Sequence, residues 1–253
     1  MKDLHEFEAA LRLSRMKGVG AAGFKQLMLK YKLPSKALIA WLSSEKQAGG
    51  LSLKSQKKNS NDEMIESTIR ALCNEDYYGY YFSQEGYPQQ LGILGEPPPV
   101  IYSTSRMKPF KYAAVVGSRN TSKEEVDLAK RKTLELIENG YSIISGGAGG
   151  IDSIALKTAV EANAYTVAIL ANGLDVVYPK ANAELFWLIR NNGTLMTELM
   201  FGAKAHKSFF PTRNRLIAAM ADIVIALPSS EKSGSLITAN WARKLGKKVE
   251  IFF

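Results

Sequence analysis

Residues 112–152 read YAAVVGSRNTSKEEVDLAKRKTLELIENGYSIISGGAGGID, and the pattern in that stretch decides the fold. Ala113 to Val116 is a short apolar run, and Lys123 to Glu138 is a longer charged, amphipathic segment closed by Asn139-Gly140. Ser142 to Ser145 is a second apolar run, and a second amphipathic segment covers Ile151 to Ala162. Four apolar residues are too few for a helix and suit a strand buried on both faces, whereas the longer segments have helical length, helical spacing and a glycine stop. Strand, helix, strand, helix in this order predicts parallel strands joined by right-handed crossovers.

Downstream the alternation continues. Thr166 to Leu170 is the third predicted strand, and Glu184 to Arg190 is a helix ending before Asn191-Asn192-Gly193. Leu195 and Met196 mark a fourth strand, and Thr212 to Met220 forms another helix. Ile223 to Leu227 and Val249 to Phe253 flank the helix Ser235 to Leu245, which makes six strands. The expected fold class is therefore α/β and Rossmann-like, a mostly parallel sheet with helices on both faces, over residues 112–253.

Upstream the periodicity changes. Glu96-Pro97-Pro98-Pro99 and Ser103 to Pro109 bracket a short apolar run, and residues 96–111 read as a linker. Before it, residues 1–95 form a small all-helical module. Leu4, Phe7 and Leu11, then Phe24, Leu27 and Met28, lie at helical spacing on either side of Gly18-Val19-Gly20. Further helical positions are Leu38, Ile39, Trp41 and Leu42, and then Met64, Ile65, Ile69 and Leu72. Ser43 to Asp62, with Gly49-Gly50 and the basic stretch Lys54 to Lys58, reads as an exposed loop, and Tyr77 to Tyr87 is an aromatic-rich tail.

With 253 residues, 46% apolar and 23% charged, the chain is that of a globular protein and is long enough for one large domain or a small and a larger one. No apolar run approaches membrane-spanning length. Met1 to Glu8 alternate charged and apolar residues without a secretory h-region, so a cytoplasmic location is expected. Cys73 is the only cysteine and His5 and His206 the only histidines, which excludes an intrachain disulfide and leads us to expect neither metal nor cofactor. The 33 basic against 24 acidic side chains leave a net charge of +9, which favours a polyanionic partner if the charges share a face and means little if they are spread.

In an open parallel sheet, ligands collect outside the carboxyl ends of the strands. The loops there carry Gly117-Ser118-Arg119-Asn120, then Ser145-Gly146-Gly147-Ala148-Gly149-Gly150-Ile151-Asp152, and then Asn172 to Asp175 with Tyr178-Pro179-Lys180. Later loops carry Glu198, Phe210-Pro211-Thr212-Arg213-Asn214-Arg215 and Lys232-Ser233-Gly234-Ser235. Small residues at helix N-termini can leave backbone N–H groups for an anion, and Arg119, Lys180, Arg213 and Arg215 would add charge-assisted hydrogen bonds. The alternative is that the glycines only make tight turns. Neither the G-x-G-x-x-G dinucleotide fingerprint after the first strand nor a Walker motif is present. Ser118 and Ser145 have no histidine near them in the chain, so a covalent nucleophile is not expected and no residue is assigned as catalytic.

This series of motifs resembles the DprA/Smf family, the bacterial DNA-processing protein A. It includes Gly117-Ser118-Arg119, Ser145 to Ala148 with Ile151-Asp152, Tyr178-Pro179 with Asn182, Phe210-Pro211 with Arg213-Asn214-Arg215, and Ser233-Gly234-Ser235 with Thr238-Ala239. The likeness covers residues 100–253 in order and with matching spacing. It implies a protein without enzymatic activity that binds single-stranded DNA during natural transformation, protects it and loads RecA recombinase onto it, and that forms a homodimer. Carried over by position, Arg119 and Lys180 match the phosphate-contacting cations. The loop Ser145, Gly146, Gly147, Ala148 matches part of the same pocket, Phe210, Arg213, Asn214 and Arg215 match its lining block, and Ser233, Gly234 and Ser235 match its last loop. Two positions depart from the pattern, Gly149 and Leu156, where members commonly carry arginine and histidine. The chain is also expected to lack the family's C-terminal winged helix. The N-terminal part resembles the family's SAM-like module, and Gly18-Val19-Gly20 resembles a helix-hairpin-helix turn that can meet a DNA phosphate or can be a simple turn.

Two other functions compete. One is a nucleoside-monophosphate phosphoribohydrolase of the lysine-decarboxylase-like Rossmann family, whose P-G-G-x-G-T-x-x-E motif has no glutamate counterpart after Ser235-Leu236-Ile237-Thr238. The other is a recombinase-mediator scaffold with incidental DNA affinity. Trp41, Trp187 and Trp241 lie on amphipathic helices and are expected in the core, and His206 in an exposed loop. Glu198 and Asp175, a conceivable carboxylate pair for glycoside chemistry, are expected to orient cations or loops in the pocket instead.

Overall fold

The computed structural model describes residues 3–47, 60–73, 76–231 and 233–253. Four helices come first: α1 (Leu4–Ser14), α2 (Gly20–Tyr31), α3 (Pro34–Gln47) and α4 (Ser60–Cys73). The expected loop over residues 43–62 is thus helical at both ends, and its middle, residues 48–59, lies outside the described residues. Then follow β1 (Tyr78–Tyr81), a 3-10 turn (Gln89–Ile93), β2 (Val100–Ser103), β3 (Tyr112–Gly117), α5 (Lys123–Glu138), β4 (Ser142–Ser145), α6 (Ile151–Glu161) and β5 (Thr166–Ile169). A second 3-10 turn (Lys180–Asn182) leads into α7 (Ala183–Asn192), β6 (Thr194–Thr197), α8 (Phe209–Met220), β7 (Ile223–Leu227), α9 (Ser235–Lys244) and β8 (Lys248–Ile251).

Local chemistry sets these boundaries. Helix α5 opens on a capping box, in which Ser122 Oγ accepts from the Glu125 N–H at 3.2 Å and the Glu125 carboxylate accepts from the Ser122 N–H at 2.7 Å. It ends at Asn139, followed by Gly140 at φ +79°.

The eight strands among the described residues form one sheet in the order β1-β2-β6-β5-β4-β3-β7-β8. The six strands from β6 to β8 are parallel, as the sequence predicts, and β1 and β2 add to the β6 edge in antiparallel fashion. Alternate side chains serve opposite faces. Ala113, Val115, Ile143 and Ile225 pack with α5 and α6, while Ala114, Val116, Ile144 and Val224 pack with α8 and α9.

The expected linker over 96–111 is corrected by this sheet. Val100 to Ser103 form a fully buried strand between β1 and β6, and the prolines before it sit at its entrance, where Pro99 needs no N–H and gives its carbonyl to the Phe82 N–H at 2.9 Å. The helical part is not separate either. Phe7, Leu11, Leu13 and Phe24 share one apolar cluster with Tyr102, Leu156, Ile189, Leu195 and Phe201. Trp41 and Trp241 pack against the core as expected, but Trp187 is 63% exposed on the outer face of α7, because Phe186 takes the inward position beside it.

Candidate functional site

Strands β3 and β7 are neighbours although the chain leaves them in opposite directions, toward β4 and toward β8. Helices α5 and α6 therefore lie on one face and α8 and α9 on the other, and a crevice opens at the carboxyl ends of β3 and β7. It holds two adjoining lobes. The first, about 260 Å³, lies between the Gly146 to Gly149 loop and the Tyr178 to Asn182 segment. The second, about 400 Å³, lies between the Gly117 to Asn120 turn and the Ser233 to Thr238 segment. Arg119 and Phe210 border both.

Beneath the lobes is a buried polar frame. Asp152, the second residue of α6, accepts from the N–H groups of Gly117 at 3.3 Å, Gly146 at 3.1 Å and Ala148 at 3.4 Å. One carboxylate thereby binds the ends of β3 and β4 to α6. Arg213, only 4% exposed, donates from Nη1 to the carbonyls of Gly146 and Ile169 and from Nε to Asn214 Oδ1. Burial raises the Asp152 carboxyl above its ordinary value, while the Arg213 guanidinium and the three N–H groups pull it back. Burial likewise pushes Arg213 down to about 10, against the pull of Asp152. Asn182 Nδ2 donates to the carbonyls of Gly147 at 3.0 Å and Ala148 at 3.4 Å. Ser145 Oγ donates to the Val115 carbonyl at 2.6 Å and is fully buried, and Ser118 Oγ closes its own turn on the Asn120 carbonyl.

These contacts revise the expected anion cradle. The Gly117, Gly146 and Ala148 N–H groups serve Asp152, and the N–H groups of Leu236 and Ile237 in the first turn of α9 bond to Ser233 and Gly234. Of the four cations named from the sequence, Arg213 is a strut and Arg215 leaves the cleft. Arg215 ion-pairs with Glu198 on the other side of α8 and donates to the Glu96 carbonyl at 3.0 Å. Burial raises the Glu198 carboxyl, and Arg215 lowers it. Asp175 accepts the Gly202 N–H at 2.9 Å, so both carboxylates hold neighbouring groups, but neither lines the cleft lobes, where the sequence reading places them.

Arg119 and Lys180 are the exposed cations of the set. The Arg119 guanidinium lies 4.9 Å from the centroid of Phe210, and Phe210 lies 5.9 Å from Tyr178 at a 57° tilt. Lys180 stands on the rim, on the turn between Pro179 and Ala181, which both line the first lobe. Ser233 and Ser235 share a hydroxyl contact at 2.9 Å, and Asn214 Nδ2 ties this segment to α8 through the Gly234 carbonyl at 3.2 Å. Lys232 lies outside the described residues. Thr238, part of the motif Ser233-Gly234-Ser235 with Thr238-Ala239, lines the second lobe, and its buried hydroxyl has no hydrogen-bond partner among the described residues. Asp152 likewise had no assigned role, although an acid at the second position of a helix after a glycine run is a readable signal for binding loop N–H groups.

The two departures from the motif pattern differ in weight. Gly149 lines the first lobe, and a side chain there would meet open space. Leu156 is fully buried in the core, so the change at that position alters packing and not the cleft. Among the described residues no cluster of His, Cys, Asp and Glu suits a metal ion, and no helix is long and apolar enough to cross a membrane.

Comparison with known proteins adds the following. Residues 80–252 match the family model of the DNA recombination-mediator protein A. Protein Smf of Synechocystis sp. is 29% identical over 94% of this chain and 62% of its own length. The DNA processing protein DprA of Streptococcus pneumoniae is 36% identical over 64% of this chain and 58% of its own length. The chain thus spans less than two thirds of these relatives. Among solved structures, DprA from Streptococcus pneumoniae superposes with a TM-score of 0.67 at 27% identity, over 96% of this chain and 84% of that one. DNA processing protein A from Helicobacter pylori, described with a single-stranded DNA binding mode, superposes with a TM-score of 0.63 at 30% identity, over 69% of this chain and 80% of that one.

Proposed function

The chain belongs to the DNA recombination-mediator protein A family, and from that premise we propose that its two-lobed cleft binds single-stranded DNA without strong sequence preference. The observation that carries this reading is the Arg119 guanidinium lying against the Phe210 ring, with Tyr178 beside it. Aromatic faces accept any base, and a cation next to them follows the phosphate, which is the chemistry of sequence-tolerant single-strand binding. Bases stacked and paired inside a duplex do not present their faces to the Phe210 and Tyr178 rings, so single strands should be preferred. Arg119, Lys180 and Phe210 carry the contact, and the Ser233 to Ser235 segment supplies hydroxyl donors. Ser118, Ser145, Asn182, Arg213 and Asn214 keep the frame.

Binding is favoured over hydrolysis by the acids present. Among the described residues Asp152 is the only carboxylate lining either lobe, and its oxygens already accept three N–H groups, which makes it a poor general base for cleaving a glycosidic bond. The relatives are likewise named as DNA-processing proteins. Family membership also supports a role in DNA uptake, loading of RecA onto the bound strand and a homodimeric state.

Fluorescence anisotropy with matched single-stranded and double-stranded oligonucleotides at two salt concentrations tests the reading. Preference for the single strand with a steep salt dependence is expected. Equal, weak binding to both would overturn it and direct attention to nucleotide hydrolysis.

A further inference from the structure

The loop that reads as a linker, Ser105-Arg106-Met107-Lys108-Pro109-Phe110-Lys111, lies at the opposite end of β3 from the cleft. Strand β3 has six residues, so roughly 20 Å of strand separates the two ends. The loop is tied down. Ser103 Oγ donates to the Ser105 carbonyl at 2.7 Å, Ser105 Oγ donates to the Gly193 carbonyl at 3.0 Å, and the Tyr112 hydroxyl donates to the Lys108 carbonyl.

On this fixed backbone, cations and rings alternate. Lys108 Nζ stands 4.9 Å from the Tyr165 centroid and 5.9 Å from that of Phe110, and the two rings meet edge to face at 5.3 Å. Arg106 lies 5.8 Å from the ring of Tyr78, which stacks at 7° on Tyr80. Phe110 is 43% exposed. Arg106, Lys108 and Lys111 are exposed and make no ion pair among the described residues, although Asp222 bonds the nearby Tyr112 N–H. The exposed Phe110 ring and the three cations near it, which make no ion pair among the described residues, together offer a partner an apolar face and positive charge.

We propose that Arg106, Lys108 and Phe110, backed by Tyr165, form a second contact surface for single-stranded nucleic acid. A strand held in the cleft, or a second strand, lays a base on Phe110 and its phosphates along Arg106, Lys108 and Lys111. The combination of ring faces and unpaired cations favours nucleic acid over an acidic protein surface, which would need only the charges. This rests on the reading of the cleft as a single-strand site, and the two can fail separately.

The test uses the full chain with a short oligonucleotide of about five nucleotides, which fills one site, and a long one of about thirty, which can reach both. Arg106→Gln/Lys108→Gln, and separately Phe110→Ala, should bind the short strand as the parent does. Each should bind the long strand about fivefold to tenfold more weakly, with the salt slope of the double variant lower by about 1.4. The double variant leaves the apolar packing untouched, so it remains informative should Phe110→Ala unfold the loop. Unchanged affinity and slope for the long strand in both variants would overturn the second surface, and would leave an acidic protein as the remaining class of occupant. Failure of the parent chain to bind the short strand, or its indifference to Arg119→Ala, would instead overturn the cleft reading.

Discussion

Three arginines named together from the sequence do three different things. Arg119 is exposed against Phe210, Arg213 is buried on backbone carbonyls, and Arg215 is paired with Glu198. Helical geometry explains the split between the last two, since positions two apart on α8 point about 200° away from one another. Loss of Arg119 or Lys180 should therefore change DNA binding and not stability: Arg119→Ala and Lys180→Ala should each lower the slope of log affinity against log salt by about 0.7. Arg213→Met should act the other way. It leaves the buried Gly146 and Ile169 carbonyls without their donor and removes the positive charge that favours the buried Asp152 carboxylate, at a cost of about 3 kcal/mol and a melting temperature lower by about 6–12 °C in a thermal scan. Glu198 supplies a pH signature. Its folded value lies above its unfolded one near 4.5, so its contribution to stability is complete below pH 4.5 and is lost as pH rises through the raised value. The stability of the parent chain minus that of Glu198→Gln, followed by urea denaturation, should fall with rising pH across that window.

At the scale of elements, the glycine loop between β4 and α6 is the most informative. Gly150 has φ +76°, and a Cβ there would stand 2.2 Å from the Ser118 carbonyl oxygen, so its lack of a side chain is what lets α6 meet the β3 turn. Gly150→Ala should lower both stability and DNA affinity. Gly149, one residue earlier, faces open space in the first lobe, and Gly149→Arg should keep the melting temperature and tighten single-strand binding severalfold with a steeper salt slope. The alternation of β3, α5, β4 and α6 was legible because each element has its own local period. β1 and β2 were not, since Tyr78-Gly79-Tyr80-Tyr81 lacks alternating aliphatic residues and Pro97 to Pro99 disguise the entry to β2 as a loop.

For the whole molecule, the shared core changes what truncation should do. Phe7, Leu11 and Phe24 share a core cluster with Leu195 and Phe201, and β1 covers the edge of β2, so removing residues 1–100 bares an apolar face and an unpaired strand. Such a fragment should melt well below the full chain and aggregate, as size-exclusion chromatography and a thermal scan would read. A fragment that stays monomeric with the parent melting temperature would show the helical part to be an independent appendage. The sequence by itself determined the α/β class, the six parallel strands, the helical N-terminus and the sheet edge on which the motifs gather, because these follow from local periodicity and from the rule that βα loops share one side of a parallel sheet. Only the tertiary structure decided that β1 and β2 complete the sheet, that Asp152 consumes the loop N–H groups, and that Arg119 stays free while Arg213 is buried. Those outcomes depend on which distant groups meet, and burial and partnership are properties of the packed chain that no short window of sequence contains.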